Sequence, residues 1–170
     1  MRHAGSMALC IDKITGSRER NPMENCLKVG ILGAGNIAGS MAEALNELQK
    51  EGKACAYAVA SRSQEKALEF ARKWNITRAY SSYEELASDP EVDLIYIATP
   101  HSLHYEQAKL CMEHGKNVLV EKAFTANARQ AEELFAMAEE KKVFITEAIW
   151  TRYMPCLLYT SPSPRDTERS

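Results

Sequence analysis

Two adjacent charges, Glu121 and Lys122, directly follow the apolar run 118–120 and are the strongest candidates for acid-base work in the chain. A lysine at the end of a buried strand can reach a substrate hydroxyl, orient it and favour its ionised form as a hydride leaves the carbon, provided the pocket is partly dry. Lys122 is therefore the candidate catalytic residue. An exposed Glu-Lys pair at a strand end is the competing reading, and spacing does not separate the two. The segment Gly33-Ala34-Gly35-Asn36-Ile37-Ala38 offers different chemistry. It fits the G-x-G-x-x-G/A turn, in which Gly33 permits a tight turn and Gly35 lets a diphosphate approach the backbone. Ala38 lets the following helix pack close while the amides of Asn36, Ile37 and Ala38 face the anion. A chance match and a methyltransferase are the alternatives to dinucleotide binding.

Which dinucleotide suits the turn is decided at the end of the second strand, where an acidic residue accepts hydrogen bonds from the ribose of NAD. Ser61-Arg62-Ser63 stands there instead. A guanidinium and two hydroxyls suit a ribose phosphate, which favours NADP and leaves NAD as the alternative; a solvated Arg62 opening the next helix is the plain reading. Thr99-Pro100-His101 lies at the carboxyl end of the fourth expected strand, where ligands bind in open α/β sheets. His101 and His104 could begin a zinc site, but neither Glu106 nor Cys111 is placed to complete it, so no metal is expected. His104 reads equally well as a polar lining of the nicotinamide end and as simple packing. Tyr105 and Lys109 match the Y-x-x-x-K spacing of short-chain dehydrogenases, but their place relative to the glycine turn makes them a helix-surface coincidence.

These residues need strands that end and helices that begin beside them. The run 27–32 reads as a buried strand broken by Gly33, before a helix carrying Ile37, Met41, Leu45 and Leu48 on one face. A second strand over 54–60 leads to a helix with Ala67, Phe70, Ala71 and Trp74 inward. A short strand over 78–80 precedes Ser82 and Glu85, which sit at capping-box spacing for a brief helix ending at Asp89-Pro90. Strand 92–98 then turns at Thr99-Pro100 into a helix that runs to His114 and stops at Gly115. Strand 117–120 follows. A helix from Thr125 or Asn127 places Ala128, Ala131, Leu134, Phe135 and Ala138 inward, and 143–146 is the sixth strand. Strands alternating with helices of this length form right-handed βαβ units around a parallel sheet, so the fold class is α/β, doubly wound.

The chain has 170 residues, 45% hydrophobic and 26% charged, with a net charge of -2 and a pI near 6.1. One domain of roughly this size can bury a core, and a second full domain has no room. Near-balanced charge argues against a nucleic-acid partner, which would demand clustered Lys and Arg. The longest apolar runs, such as 94–98, fall far short of the roughly 18–20 residues that span a bilayer, which argues against a membrane protein. Five scattered cysteines without a CxxC pair read as reduced thiols and hence a cytoplasmic setting. Residues 1–22 show no period and are expected to be a disordered extension; a transit peptide, opposed by Asp12 and Glu19, is the alternative. The folded unit is expected over 23–155. Residues 156–170 match neither pattern, and one codon choice for 156–166 resembles a transposase sequencing adaptor. They are expected to be a non-native tail, with a Ser/Pro-rich flexible tail as the alternative.

With Lys-Val-Gly-Ile-Leu-Gly-Ala-Gly-Asn-Ile-Ala, Ile-Ala-Thr-Pro-His-Ser-Leu-His and Val-Glu-Lys in this order and spacing, the chain resembles the glucose-fructose oxidoreductase and inositol dehydrogenase family over 27–155. The segment Glu147-Ala-Ile-Trp-Thr-Arg-Tyr153 is most similar to the branch holding trans-dihydrodiol dehydrogenase and NADP-linked aldose dehydrogenases. The resemblance implies a Rossmann domain, with Gly33, Gly35 and Ala38 at the diphosphate and Ser61 and Arg62 at the adenosine ribose. It also implies Thr99, Pro100 and His104 near the nicotinamide, Glu121 at the nicotinamide ribose, Lys122 at the reacting hydroxyl, and Trp150 and Arg152 lining the site. It further implies a homo-oligomeric parent acting on a sugar or cyclic diol. Ala123 replaces the usual proline after Glu-Lys, and the family's second, α+β domain is missing from this chain. The expected function is therefore the cofactor-binding half of an NADP-dependent oxidoreductase, inactive alone. A non-catalytic nucleotide-sensing or scaffold module is the alternative.

Overall fold

The computed structural model of the chain describes residues 26–149. Strand β1 (Leu27–Leu32) is followed by α1 (Asn36–Lys50), β2 (Ala54–Ala60), α2 (Gln64–Trp74), β3 (Arg78–Tyr80) and α3 (Tyr83–Ser88). Then come β4 (Leu94–Ile97), a 3-10 turn (His101–Leu103), α4 (His104–Glu113), β5 (Asn117–Val120), α5 (Ala128–Lys141) and β6 (Ile145–Glu147). The six strands form one parallel sheet in the order β3-β2-β1-β4-β5-β6. All four residues of β4 are buried, as expected for a strand covered on both faces. On one face of the sheet Val29 and Ile31 share a core with Ala42 and Leu45 of α1 and Phe70 of α2. On the other, Leu32, Ile95 and Ile97 share a core with Leu86 of α3, Met112 of α4 and Leu134 of α5. This is the doubly wound α/β arrangement expected from the alternation, and the strand order reverses between β1 and β4, where such sheets bind ligands.

Four expectations are corrected in detail. Helix α1 buries Ala38, Ala42, Leu45 and Leu48, whereas Ile37 is 45% exposed. Small residues at 38 and 42 let the helix lie close on the sheet, and Trp74 packs against Gly39 from α2. Helix α4 begins at His104, because the 3-10 turn intervenes after Pro100. In α5 only Leu134 and Ala138 are buried; Ala131 is partly covered, and Ala128 and Phe135 are exposed. That helix serves the edge of the sheet, so its apolar stripe is wider than the surface it covers. Strand β6 starts at Ile145 because Val143 still belongs to the helix end: its N–H bonds the Ala138 carbonyl at 3.0 Å, past the left-handed Lys142 (φ 56°).

Candidate cofactor and catalytic site

The carboxyl ends of the strands are stitched into a continuous rim by backbone hydrogen bonds. Ser61 N–H donates to the Tyr80 carbonyl at 3.2 Å, Gly33 N–H to Ala60 at 2.8 Å, and Ala98 N–H to Leu32 at 2.8 Å. Glu121 N–H donates to Ile97 at 3.0 Å and Ala148 N–H to Val120 at 2.7 Å. The ladder therefore brings Ser61, Gly33, Thr99 and Glu121, which are spread over most of the sequence, to one edge of the sheet.

At the centre of the rim, Gly33 has φ 110°, and a Cβ there would meet the Ala98 carbonyl oxygen at 2.8 Å. Only glycine fits that turn. Gly35 has an ordinary backbone (φ -95°) and nothing within 4 Å of where its Cβ would lie. It also opens α1 without a side-chain cap and with no acidic residue in the first turn. By contrast, Ser63, Ser82 and Asn127 each accept a backbone N–H at the start of α2, α3 and α5. The first amides of α1, at exposed Asn36 and Ile37 and buried Ala38, are thus left with open space and the positive end of the helix dipole in front of them. An anion held by main-chain donors fits this cradle. A groove of about 480 Å³ between α1 and α2 starts at Gly35 and Asn36 and runs to Phe70 and Trp74, leaving Thr99, Glu121 and Lys122 outside its lining. It cannot by itself house both ends of a dinucleotide.

On one side of the turn, Ser61 follows β2 and its hydroxyl accepts the Ser63 N–H at 3.5 Å, while Arg62 is exposed. On the other side, the Thr99 hydroxyl bonds the side chain of buried Gln107, and Pro100 is exposed. His104 is 1% exposed, with Nδ1 2.8 Å from the Ala123 carbonyl oxygen and Nε2 2.9 Å from that of Thr99. The ring bridges two loops of the rim. Lys122 is exposed and Glu121 half-buried. The phenol of Tyr96, 1% exposed, donates to Glu121 Oε1, and Glu121 Oε2 accepts the Lys122 N–H at 3.2 Å. Burial, reinforced by the bond to Glu121, pushes the Tyr96 phenol far above its ordinary range, so it stays a donor. The Lys122-Ala123 peptide bond is cis.

Tyr96, Gln107 and Glu147, which accepts the Phe124 N–H at 2.9 Å, were not singled out by sequence reasoning. A tyrosine inside Leu-Ile-Tyr-Ile, and a glutamine on the inner face of a helix, are polar groups in apolar positions, and that mismatch was the available signal. Trp150 and Arg152 lie outside the described residues. Among the described residues no three His, Cys, Asp or Glu side chains come together as metal ligands, and no helix is long and apolar enough to cross a membrane. Tyr105 and Lys109 share the surface of α4, with the Lys109 ammonium 5.3 Å from the Tyr105 ring centre and the phenol bonded to Glu133.

Residues 27–148 match the model of the oxidoreductase family with an NAD-binding Rossmann fold. The chain belongs to this family. It is 43% identical over 128 residues to trans-1,2-dihydrobenzene-1,2-diol dehydrogenase of Xenopus tropicalis, covering 75% of this chain and 38% of that relative. It is 41% identical over 138 residues to the NADP(+) D-xylose 1-dehydrogenase of Hypocrea jecorina, covering 76% of this chain and 35% of that one. Among solved structures, an NAD binding oxidoreductase from Klebsiella pneumoniae superposes with a TM-score of 0.74 at 30% identity, over 79% of this chain and 37% of that one. A 3-ketoreductase from Actinomadura kijaniata, crystallised with TDP-benzene and NADP, superposes at 0.66 and 33% identity, over 72% of this chain and 38% of that one. The chain therefore spans under two-fifths of each of these relatives.

Proposed function

We propose that this chain is the cofactor-binding part of an NADP-dependent oxidoreductase, whose intact form moves a hydride between nicotinamide and a secondary alcohol of a sugar or cyclic diol. The observation that carries the reading is the juxtaposition on one rim of the Gly33–Gly35 cradle, at the switch point between β1 and β4, with Glu121-Lys122 at the end of β5. The bound nicotinamide would supply the hydride acceptor or donor. Gly33 and Gly35 would admit the diphosphate to the amides of Asn36, Ile37 and Ala38, and Ser61 and Arg62 would hold the ribose phosphate. Arg62 is exposed and next to no acidic residue in sequence, which suits NADP over NAD. Thr99 and Pro100 would wall the nicotinamide end, with His104 behind them.

Glu121 would accept a hydrogen bond from the nicotinamide ribose, and Lys122 would hold the substrate hydroxyl and favour its ionised form. Trp150 and Arg152 would complete the lining. The relatives named for diol and xylose dehydrogenases support the substrate class, and the NADP in the ketoreductase crystal supports the cofactor. The scattered cysteines, with no CxxC pair in the sequence, favour a reducing, cytoplasmic setting in this reading, and the intact enzyme is a homo-oligomer.

Calorimetry on the folded 170-residue chain is expected to detect weak NADPH binding, with no measurable turnover on any aldose. Absence of heat with either pyridine nucleotide would overturn the assignment. Full turnover by this chain alone would refute the need for a further domain.

A further inference from the structure

We propose that Glu147, the last residue of β6, is a positioning residue for the Glu121-Lys122 pair, an inference that rests on the nicotinamide-side role given to that pair above. The segment 121–124 leaves β5 without regular structure, and Lys122 and Ala123 are exposed. Such a segment wanders unless its backbone is tied down. Its first amide is tied to β4 through the Ile97 carbonyl. Side chains from three elements hold the rest. Tyr96 on β4 bonds the Glu121 carboxylate, His104 at the start of α4 reaches the Ala123 carbonyl, and Glu147 accepts the Phe124 N–H at 2.9 Å.

Glu147 is itself fixed, paired with Val120 in the parallel ladder and followed by the Ala148 N–H bond to the Val120 carbonyl. A half-buried carboxylate is a costly way to finish an edge strand, and packing alone would be served as well by an apolar residue. Its oxygen is spent on the amide two residues beyond Lys122, and that bond sets where the turn carrying Lys122 comes to rest. Tyr96 and His104 are core residues whose replacement would disturb the sheet; Glu147 sits at its edge and can be changed with less damage.

The test measures two affinities on the full 170-residue chain, one for NADPH and one for the adenosine bisphosphate half of that nucleotide, which carries no nicotinamide. Glu147→Ala is expected to weaken NADPH binding about tenfold while moving the half-nucleotide by less than about twofold. Glu147→Gln, whose amide oxygen still accepts the Phe124 N–H, restores NADPH binding. Should the alanine variant fold poorly, Glu147→Asp keeps the charge but falls a methylene short, and shows the same selective loss. Equal loss for both ligands marks a merely structural residue and overturns the proposal, as does unchanged NADPH affinity in Glu147→Ala or Glu147→Asp. If the unmodified chain binds neither ligand, the reading beneath fails and this inference falls with it.

Discussion

Gly33 and Gly35 stand two residues apart, and alanine at each is read by a different measurement. At Gly33 the backbone is left-handed and a Cβ would lie 2.8 Å from a carbonyl oxygen, so Gly33→Ala is expected to cost about 2 kcal/mol and lower the midpoint of thermal unfolding. At Gly35 the backbone suits alanine and the space is open. Gly35→Ala should leave stability within about 0.5 kcal/mol yet weaken NADPH about tenfold or more, because the methyl group stands where a diphosphate must approach. Loss of stability at Gly35, with binding intact, would separate the turn from any anion. Arg62→Asp tests the other end of the nucleotide. It should weaken NADPH by about tenfold while sparing NADH, and equal loss of both would remove the argument for a ribose phosphate.

Among the elements, the short α3 depends most on its ends. Ser82 accepts the Glu85 N–H at 3.1 Å and Glu85 returns a bond to the Ser82 N–H at 3.2 Å, so Ser82→Ala is expected to lower stability by about 1 kcal/mol in urea unfolding. The connection from α3 to β4 is held by Asp89, which is buried. Burial by itself would raise its pKa. The Glu91 N–H at 3.0 Å, the Tyr80 hydroxyl at 2.8 Å, and the charges of Arg78 and Lys116 outweigh that and hold the carboxyl below its usual range. A folded-state pKa below the unfolded value of about 3.9 means the stabilisation is complete above about pH 4 and is lost as pH falls through the folded value. Asp89→Asn should therefore lower the unfolding temperature at neutral pH and leave a flatter acid limb. An acid limb as steep as that of the unmodified chain would show that other carboxylates carry it.

At the scale of the molecule, Phe135 is 50% exposed and stacks on Phe124 with ring centres 5.4 Å apart, beside the loop that bears Lys122. An apolar surface at that edge should bind a hydrophobic dye, and Phe135→Ser should reduce the dye signal without unfolding the chain; an unchanged signal would place the dye elsewhere. Phe135 also marks where the sequence was misleading. Ala131 and Ala138, four residues before it and three after, suggest an inward face, but only the fold reveals that α5 lies at a sheet edge with little to cover that side. Periodicity and glycine punctuation made the βαβ alternation, the α/β class and the cradle at Gly33 legible, because these depend on local spacing and on conformations only glycine adopts. Strand order, and with it the meeting of residues 33, 61, 99 and 121 on one rim, depended on which strands pair, a non-local choice that no window of sequence contains. The same holds for the partners of the 121–124 turn. Tyr96, His104 and Glu147 come from three elements far apart in the chain, and tertiary packing alone decided that their polar atoms converge there, since buried polar groups must find partners and only the folded backbone determines which are within reach.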